Sequence, residues 1–149
     1  KMSACEKITV SNEVLLSLAQ EFLDEGMKVL LPLKGESMLP FIRPGKDLAL
    51  VEARNDAAPG DVVLARTIAG TYVIHRVVRI EPDGNLILKG DGNLVGTETC
   101  TPDGVMGTVV QVQRPSGKIH FPQRVKGWQK LPLFLRRVVL ALYKRTVGR

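Results

Sequence analysis

Residues 61–80 have the sequence DVVLARTIAGTYVIHRVVRI, which carries a strong β pattern. Two runs rich in valine and isoleucine flank the Ala69-Gly70 pair, as in two antiparallel strands joined by a tight turn. Similar short runs occur on both sides. The predicted strands are 29–33, 47–52, 61–67, 71–80, 85–89, 107–113 and 118–121. Turn residues rather than helical stretches separate them, so we expect coiled antiparallel sheets or a partial barrel, not βαβ units.

Helical patterns lie at both ends of this mainly β region. In residues 12–25, one face carries the apolar side chains of Val14, Leu15, Leu18 and Phe22. We expect this face to pack against the core, and the alternative is a partner. A second helix is predicted from Pro132, in its first turn, to about Thr146, where apolar and basic residues alternate. The expected organisation is an N-terminal helical segment (1–28), a β domain (29–121) and a basic amphipathic C-terminal helix (122–149).

The composition excludes several classes of protein. A chain of 149 residues with 44% hydrophobic and 24% charged residues predicts one globular domain rather than a disordered or collagen-like chain. Cys5 and Cys100 are too few for a disulfide scaffold, and with two histidines they lack the spacing of a metal site. No apolar run reaches the ~18 residues of a membrane span. We therefore expect no metal and no cofactor, and a chain that is soluble, whether cytoplasmic or peripherally membrane-associated.

The charge is distributed unevenly along the chain. Residues 1–103 contain 11 Lys and Arg and all 15 Asp and Glu, whereas residues 104–149 contain 10 Lys and Arg and no acidic residue. A basic segment of this kind predicts a polyanionic surface or an acidic partner, and the alternative is a solvated basic face.

Three segments place a reactive side chain beside turn residues. Ser37 lies in Gly35-Glu36-Ser37-Met38-Leu39-Pro40, His75 lies within a β run, and Asp91 lies in Lys89-Gly90-Asp91-Gly92-Asn93. Taken singly, each has an ordinary structural interpretation: a turn serine, a strand histidine and an Asx turn.

Together and in this order, the segments resemble the superfamily of signal peptidase I and the SOS-repressor peptidases, the S24/S26-like serine peptidases. The similarity covers about residues 29–113. It includes the Ser-Met-x-Pro loop, the Pro-Gly-x-Asp and Pro-Gly-Asp turns at 44–47 and 59–61, the His-Arg-Val strand at 75–77, the Lys-Gly-Asp-x-Asn turn and Gly107-Thr108-Val109-Val110.

The resemblance implies a serine endopeptidase acting on a peptide or protein substrate. His75-Arg76-Val77 is similar to the signal peptidases that use histidine as base, so Ser37 is the implied nucleophile, His75 the general base and Asp91 the residue that orients the imidazole. Family geometry also suggests a shallow apolar substrate groove beside Ser37, built partly by Met38, Leu39 and Phe41.

Three features depart from that pattern. Gly35-Glu36 replaces the usual Ser-Gly, so an oxyanion hole would depend on backbone N–H groups, chiefly that of Ser37. The second aspartate of the His-type enzymes is missing, and Glu98, the nearest acidic residue, carries little weight in the prediction. The usual preceding transmembrane helix is not expected in residues 12–25, since they contain Glu21, Asp24 and Glu25.

The basic C-terminal helix is a candidate substitute for that anchor. It could lie on an anionic membrane surface, or pack against the domain or a partner subunit. The residues predicted for a membrane or partner surface are Trp128, Lys130, Arg136, Arg137, Lys144 and Arg145.

Two other functions compete with the peptidase. A non-catalytic module could bind a peptide or partner along the same cleft. A self-cleaving DNA-binding repressor is disfavoured, because only about 30 residues precede the β core and the base lysine is missing; we expect no specific nucleic-acid binding. The sequence leaves the oligomeric state open.

Overall fold

The computed structural model describes residues 12–54, 56–125 and 127–147. Within them the chain forms one open antiparallel sheet of eight strands, with one helix near each end. The predicted mainly β class is confirmed. The sheet is not closed into a barrel, and its strand order is β1-β2-β7-β3-β4-β5-β6, with β8 paired to β7.

The helices and strands have these bounds. The helices are α1 (Asn12–Asp24) and α2 (Leu133–Val147). The strands are β1 (Val29–Pro32), β2 (Leu48–Glu52), β3 (Val62–Arg66), β4 (Tyr72–Ile80), β5 (Leu86–Lys89), β6 (Glu98–Cys100), β7 (Val105–Gln113) and β8 (Ile119–His120). Single 3₁₀ turns cover Pro102–Gly104, Pro122–Arg124 and Trp128–Lys130.

Among the strands that the structure describes, β6 is the one that the sequence pattern did not predict. It has three residues, and it pairs with β5 through Leu86 opposite Cys100 and Leu88 opposite Glu98. A strand this short has no alternation long enough to recognise, and it forms because β5 offers an unpaired edge. Its position matters because it brings Glu98 into the sheet.

Helix α1 packs on the sheet through a different face from the predicted one. Leu16, Ala19 and Leu23 are buried, whereas Val14, Leu18 and Phe22 are exposed. The prediction that those three residues face the core was therefore wrong. Apolar residues cover much of the circumference of α1, so their spacing did not determine its rotation, and the buried stripe is the one containing the small Ala19.

The core holds the Ser37 loop from two sides. Met38 is buried in the main cluster, together with Leu16 of α1 and Val51, Leu64 and Val109 of the sheet. This cluster fixes the loop against α1 and the sheet.

A separate apolar cluster fixes the loop from the side of the C-terminal segment. Leu39, Trp128 and Leu140 are buried together, and Phe41 and Tyr143 pack against them. Helix α2 therefore lies beside the Ser37 loop. Within the described ranges, neither α1 nor α2 has the length and apolar composition of a membrane-spanning helix.

Candidate active site

The centre of the candidate site is a contact between His75 on β4 and Glu98 on β6. Nδ1 of His75 lies 2.6 Å from Oε1 of Glu98. The His75 side chain is almost fully buried, while the Glu98 carboxylate is partly exposed. A carboxylate only accepts hydrogen bonds, so Nδ1 carries the proton and Nε2 is left with a free lone pair in the neutral imidazole.

The sheet register explains why these two residues meet. Arg76 pairs with Lys89, so His75 lies opposite Gly90, one residue beyond the end of β5. Glu98 pairs with Leu88, which is two residues from Gly90 and therefore on the same face. Glycine has no side chain to fill the space between β4 and β6, and this allows the carboxylate to reach the imidazole.

Gly90 is also the point at which the Ser37 loop meets the imidazole. A Cβ added to Gly90 would lie 2.4 Å from the Ser37 carbonyl oxygen and 3.1 Å from Nε2 of His75. The Gly92 N–H donates a hydrogen bond of 2.8 Å to the same carbonyl. The loop thus packs directly on the 90–92 turn, with Ser37 next to the free nitrogen of His75. Among the described residues, no hydrogen bond joins the Ser37 hydroxyl to His75.

Asp91 does not take the position expected for the third member of a triad. Its carboxylate accepts two hydrogen bonds from the Arg76 guanidinium, Nε to Oδ1 at 2.8 Å and Nη2 to Oδ2 at 2.7 Å. Successive residues of an extended chain point to opposite faces of the sheet, so the Arg76 side chain lies on the face opposite that of His75. The Asp91 carboxylate binds Arg76 and therefore lies on that opposite face too. The geometry places Glu98, not Asp91, on the imidazole.

The Arg76–Asp91 pair ties the site to the C-terminal segment. Arg76 Nη1 also donates to the carbonyl oxygens of Gly60 and Pro122, at 2.7 and 2.8 Å. The Trp128 Nε1–H donates to the Asp91 carbonyl at 2.8 Å, and Gln129 Nε2 donates to its carboxylate at 3.2 Å. The hydrogen bonds that Asp91 accepts from Arg76, Trp128 and Gln129 hold the 90–92 turn in place.

Several predicted surface residues have other positions in the structure. Trp128 and Arg136 are buried, the latter donating to Gln129 Oε1 at 3.1 Å, whereas Lys130, Arg137, Lys144 and Arg145 are exposed. The two buried residues cannot belong to a membrane or partner surface, because they pack against the domain itself.

The residues expected to build a substrate groove also have other positions. Met38 and Leu39 are buried in the two clusters described above, and Phe41 packs edge-on against Trp128. They anchor the loop rather than line a groove. Ser37 instead borders a small crevice, whose other walls are Leu16, Leu33, Lys34 and Ile74.

The far end of the Ser37 loop is fixed by a buried carboxylate. Asp47 is fully buried and binds the Arg43 side chain and backbone N–H, as well as Arg114 of the β7–β8 turn. Arg114 also donates to the Phe41 carbonyl at 2.9 Å. Burial alone would raise the pKa of Asp47, but the hydrogen bonds from Arg43 and the charge of Arg114 lower it below its ordinary value.

Lys89 is the lysine nearest the predicted triad in sequence, but it does not face the imidazole. Lys89 is paired with Arg76 and directly precedes Gly90, so its side chain points to the face of the sheet opposite that of Gly90 and His75. Its Nζ lies 3.4 Å from the Leu94 carbonyl oxygen. Burial and the charge of Arg136 lower the pKa of this lysine. Metal-binding groups of three or more His, Cys, Asp or Glu are absent from the part of the chain that the structure describes.

Comparison with known proteins identifies the family. The family model for S24-like peptidases matches residues 1–110, which include the Ser37 loop, His75, Asp91 and Glu98. The chain belongs to the S24-like peptidase family, and its fold is peptidase-like. No curated protein matches the chain.

Proposed function

We propose that the chain is a serine endopeptidase in which Ser37 is the nucleophile, His75 the general base and Glu98 the residue that orients His75. The observation that carries this proposal is the 2.6 Å contact between Nδ1 of His75 and Glu98. This contact occupies Nδ1 and leaves Nε2 of His75 beside Gly90, where the Ser37 carbonyl oxygen also lies. A serine nucleophile, a histidine base and an acid that orients the base are the groups that acyl transfer needs, so this arrangement supports a peptidase.

The reaction follows from these roles. Nε2 of His75 takes the proton of the Ser37 hydroxyl as Oγ attacks the scissile carbonyl carbon, and Glu98 stabilises the imidazolium that forms. The imidazolium then donates its proton to the leaving amine as the C–N bond breaks, which leaves an acyl ester on Ser37. Water, deprotonated by His75, hydrolyses that ester and regenerates the hydroxyl.

The backbone of the loop supplies the oxyanion donor in this proposal. In the described ranges, the Ser37 N–H makes no hydrogen bond to another backbone carbonyl. Gly35, two residues before Ser37, has a φ of 77° and turns the chain just before the nucleophile. Removing a single oxyanion donor elsewhere costs about 10²- to 10³-fold in turnover, so one N–H is a substantial contribution.

The crevice beside Ser37 suggests the substrate class. Its walls include the apolar side chains of Leu16, Leu33 and Ile74, and it is small. Lys34 forms its remaining wall, and the size of the crevice fits a small side chain next to the scissile bond better than an aromatic one. The proposed substrate is therefore a peptide or protein precursor cleaved after a small residue.

The test combines active-site labelling with a peptide library. Wild-type chain should react with a fluorophosphonate at Ser37 and cleave library peptides after small residues, as read by mass spectrometry. Ser37→Ala and His75→Gln should each lose about 10³-fold or more of the turnover. Ser116→Ala removes a hydroxyl from an exposed turn and should leave turnover unchanged. Labelling that persists in Ser37→Ala would contradict the proposal.

A non-catalytic peptide-binding module is the second candidate. It is favoured by one observation, the lack of a hydrogen bond between the Ser37 hydroxyl and His75 among the described residues. Such contacts often shorten only when substrate binds, which is why the peptidase is preferred. A wild-type chain that binds library peptides as tightly as Ser37→Ala, and cleaves none, would establish the module instead.

A further inference from the structure

Helix α2 exposes an apolar face to solvent. Phe134, Val138 and Leu142 recur every fourth residue and are each at least half exposed, Phe134 at 66%. They lie on the side of α2 away from Leu140 and Tyr143, which pack against the Ser37 loop. Leu135 and Val139 widen the exposed apolar face on one flank. The cost of leaving such a face in water indicates that something covers it.

The charged residues on α2 and in the turn before it are all basic. Residues 104–149 contain ten Lys and Arg and no acidic residue. Arg137, Lys144 and Arg145 are exposed on α2, and Lys130 is exposed in the turn that precedes it. An apolar face bordered by basic side chains is complementary to a surface that is apolar inside and anionic outside.

We propose that α2 lies in the headgroup layer of an anionic membrane. Phe134, Val138 and Leu142 would enter the boundary between headgroups and acyl chains, and Arg137 and Arg145 would contact lipid phosphates. This assignment uses only the exposed basic residues, since Arg136 and Trp128 are buried in the domain. Attachment of this kind is reversible and depends on ionic strength.

Helix α1 provides an internal comparison. It also exposes a stripe at four-residue spacing, which includes Leu18 and Phe22. Its neighbours on the helix surface include Glu21 and Asp24, both exposed. An anionic membrane would repel these carboxylates, so the same lipid surface that fits α2 does not fit α1.

Membrane docking would also affect the reaction, an extension that rests on the proposed peptidase function. Leu140 of α2 packs against Leu39, and Lys144 lies 3.3 Å from the Glu36 carboxylate, next to Ser37. A docked α2 would thus hold the Ser37 loop near the lipid surface. Peptide bonds close to a membrane would then be cleaved in preference to the same bonds in free peptides.

The first test is co-sedimentation of the Ser37→Ala chain with vesicles, so that binding is measured without turnover. The vesicles are pure phosphatidylcholine or an equal mixture of phosphatidylcholine and phosphatidylglycerol. Binding is expected only to the mixture. Phe134→Ser should weaken it roughly 10- to 100-fold, because a buried phenylalanine is lost from the lipid. Phe22→Ser removes the same side chain from α1 and should change nothing.

The second test separates charge from apolar contact. Arg137→Gln with Arg145→Gln should weaken binding about 20-fold and flatten its dependence on salt. Binding that does not depend on phosphatidylglycerol, or that Phe22→Ser weakens as much as Phe134→Ser, overturns the proposal.

If analytical ultracentrifugation instead shows a dimer that Phe134→Ser dissociates, and vesicles do not bind, a second copy of the chain covers the face. A peptidase that fails to bind vesicles would refute the membrane site alone.

Discussion

Glu98 and His75 are 23 residues apart in the chain, yet their side chains meet at 2.6 Å across the sheet. The contact spans β4 to β6 over the end of β5, where Gly90 leaves room for it. In the proposed mechanism, Glu98 fixes the tautomer of His75 and stabilises its cation during proton transfer. The residue with the most direct influence on the base is therefore an acid on the three-residue strand β6.

Glu98→Gln tests this role. The amide can donate to Nδ1 as well as accept from it, so the imidazole can adopt the wrong tautomer and lose the proton acceptor at Nε2. We expect kcat to fall by about 10²- to 10⁴-fold with little change in KM. Steady-state cleavage of a library-derived peptide measures both. The Glu98 carboxylate is partly exposed, so the midpoint of urea unfolding should barely move.

Glu81→Gln is the matched control for this substitution. Glu81 also accepts from a nearby cation, with Arg79 Nε at 2.9 Å, but it lies at the surface beyond the end of β4. It should leave kcat unchanged. A Glu98→Gln chain with wild-type kcat would show that the contact to His75 is not used in catalysis.

Motif order predicted the Ser37 loop and the His75 strand because each lies in a run with strong local signals. Glu98 was not predictable in the same way. It lies in Thr97-Glu98-Thr99-Cys100, a short polar run whose strand exists only through pairing with β5. The β-branched threonines on either side of Glu98 were a weak indication of this strand. Side-chain direction was also missed at Asp91, where the alternation from Gly90 to Asp91 sends the carboxylate to Arg76.

The positions of Met38 and Phe22 show the other limit of the pattern. An apolar residue next to a nucleophile can face a substrate or the core, and hydrophobicity is the same in both cases. Met38 is buried in the core, and Phe22 is exposed, the reverse of the predicted positions. Tertiary packing decides which face of a loop or helix is covered, and that information is not local.

Asp91→Asn is expected to act on stability more than on the chemical step. The Arg76–Asp91 pair is buried, and removing one partner leaves an uncompensated guanidinium charge in the interior. The free energy of unfolding should fall by about 3–5 kcal/mol, as measured by urea denaturation. If Asp91→Asn abolished turnover and left the free energy of unfolding unchanged, Asp91 would be the third member of the catalytic triad.

Gly90→Ala should separate the Ser37 loop from the imidazole. The added Cβ would lie 2.4 Å from the Ser37 carbonyl, which is backbone and must shift, and 3.1 Å from Nε2 of His75. We expect turnover per folded molecule to fall about 10²-fold, as misplacement of reacting groups by about 1 Å costs that much.

Gly104→Ala is the matched control, because it creates a comparable clash, 2.6 Å from the Arg66 carbonyl, at a distant turn. It should reduce stability while the folded fraction keeps its turnover, and an equal loss of turnover in both variants would remove the special role of Gly90.

The buried Asp47 carboxylate should make the anchoring of the Ser37 loop sensitive to acid. Burial opposes ionisation of Asp47, but the hydrogen bonds from Arg43 and the charge of Arg114 outweigh it and lower the pKa. A carboxyl with a lower pKa in the folded than in the unfolded chain stabilises the fold fully above the unfolded value of about 3.9. That stability is lost as the pH falls through the folded pKa.

The free energies of unfolding in urea of the wild-type and Asp47→Asn chains should therefore differ by a constant amount above about pH 5, and the difference should shrink below about pH 4. A difference that stays constant down to acid pH would mean that Asp47 contributes through packing rather than through its charge.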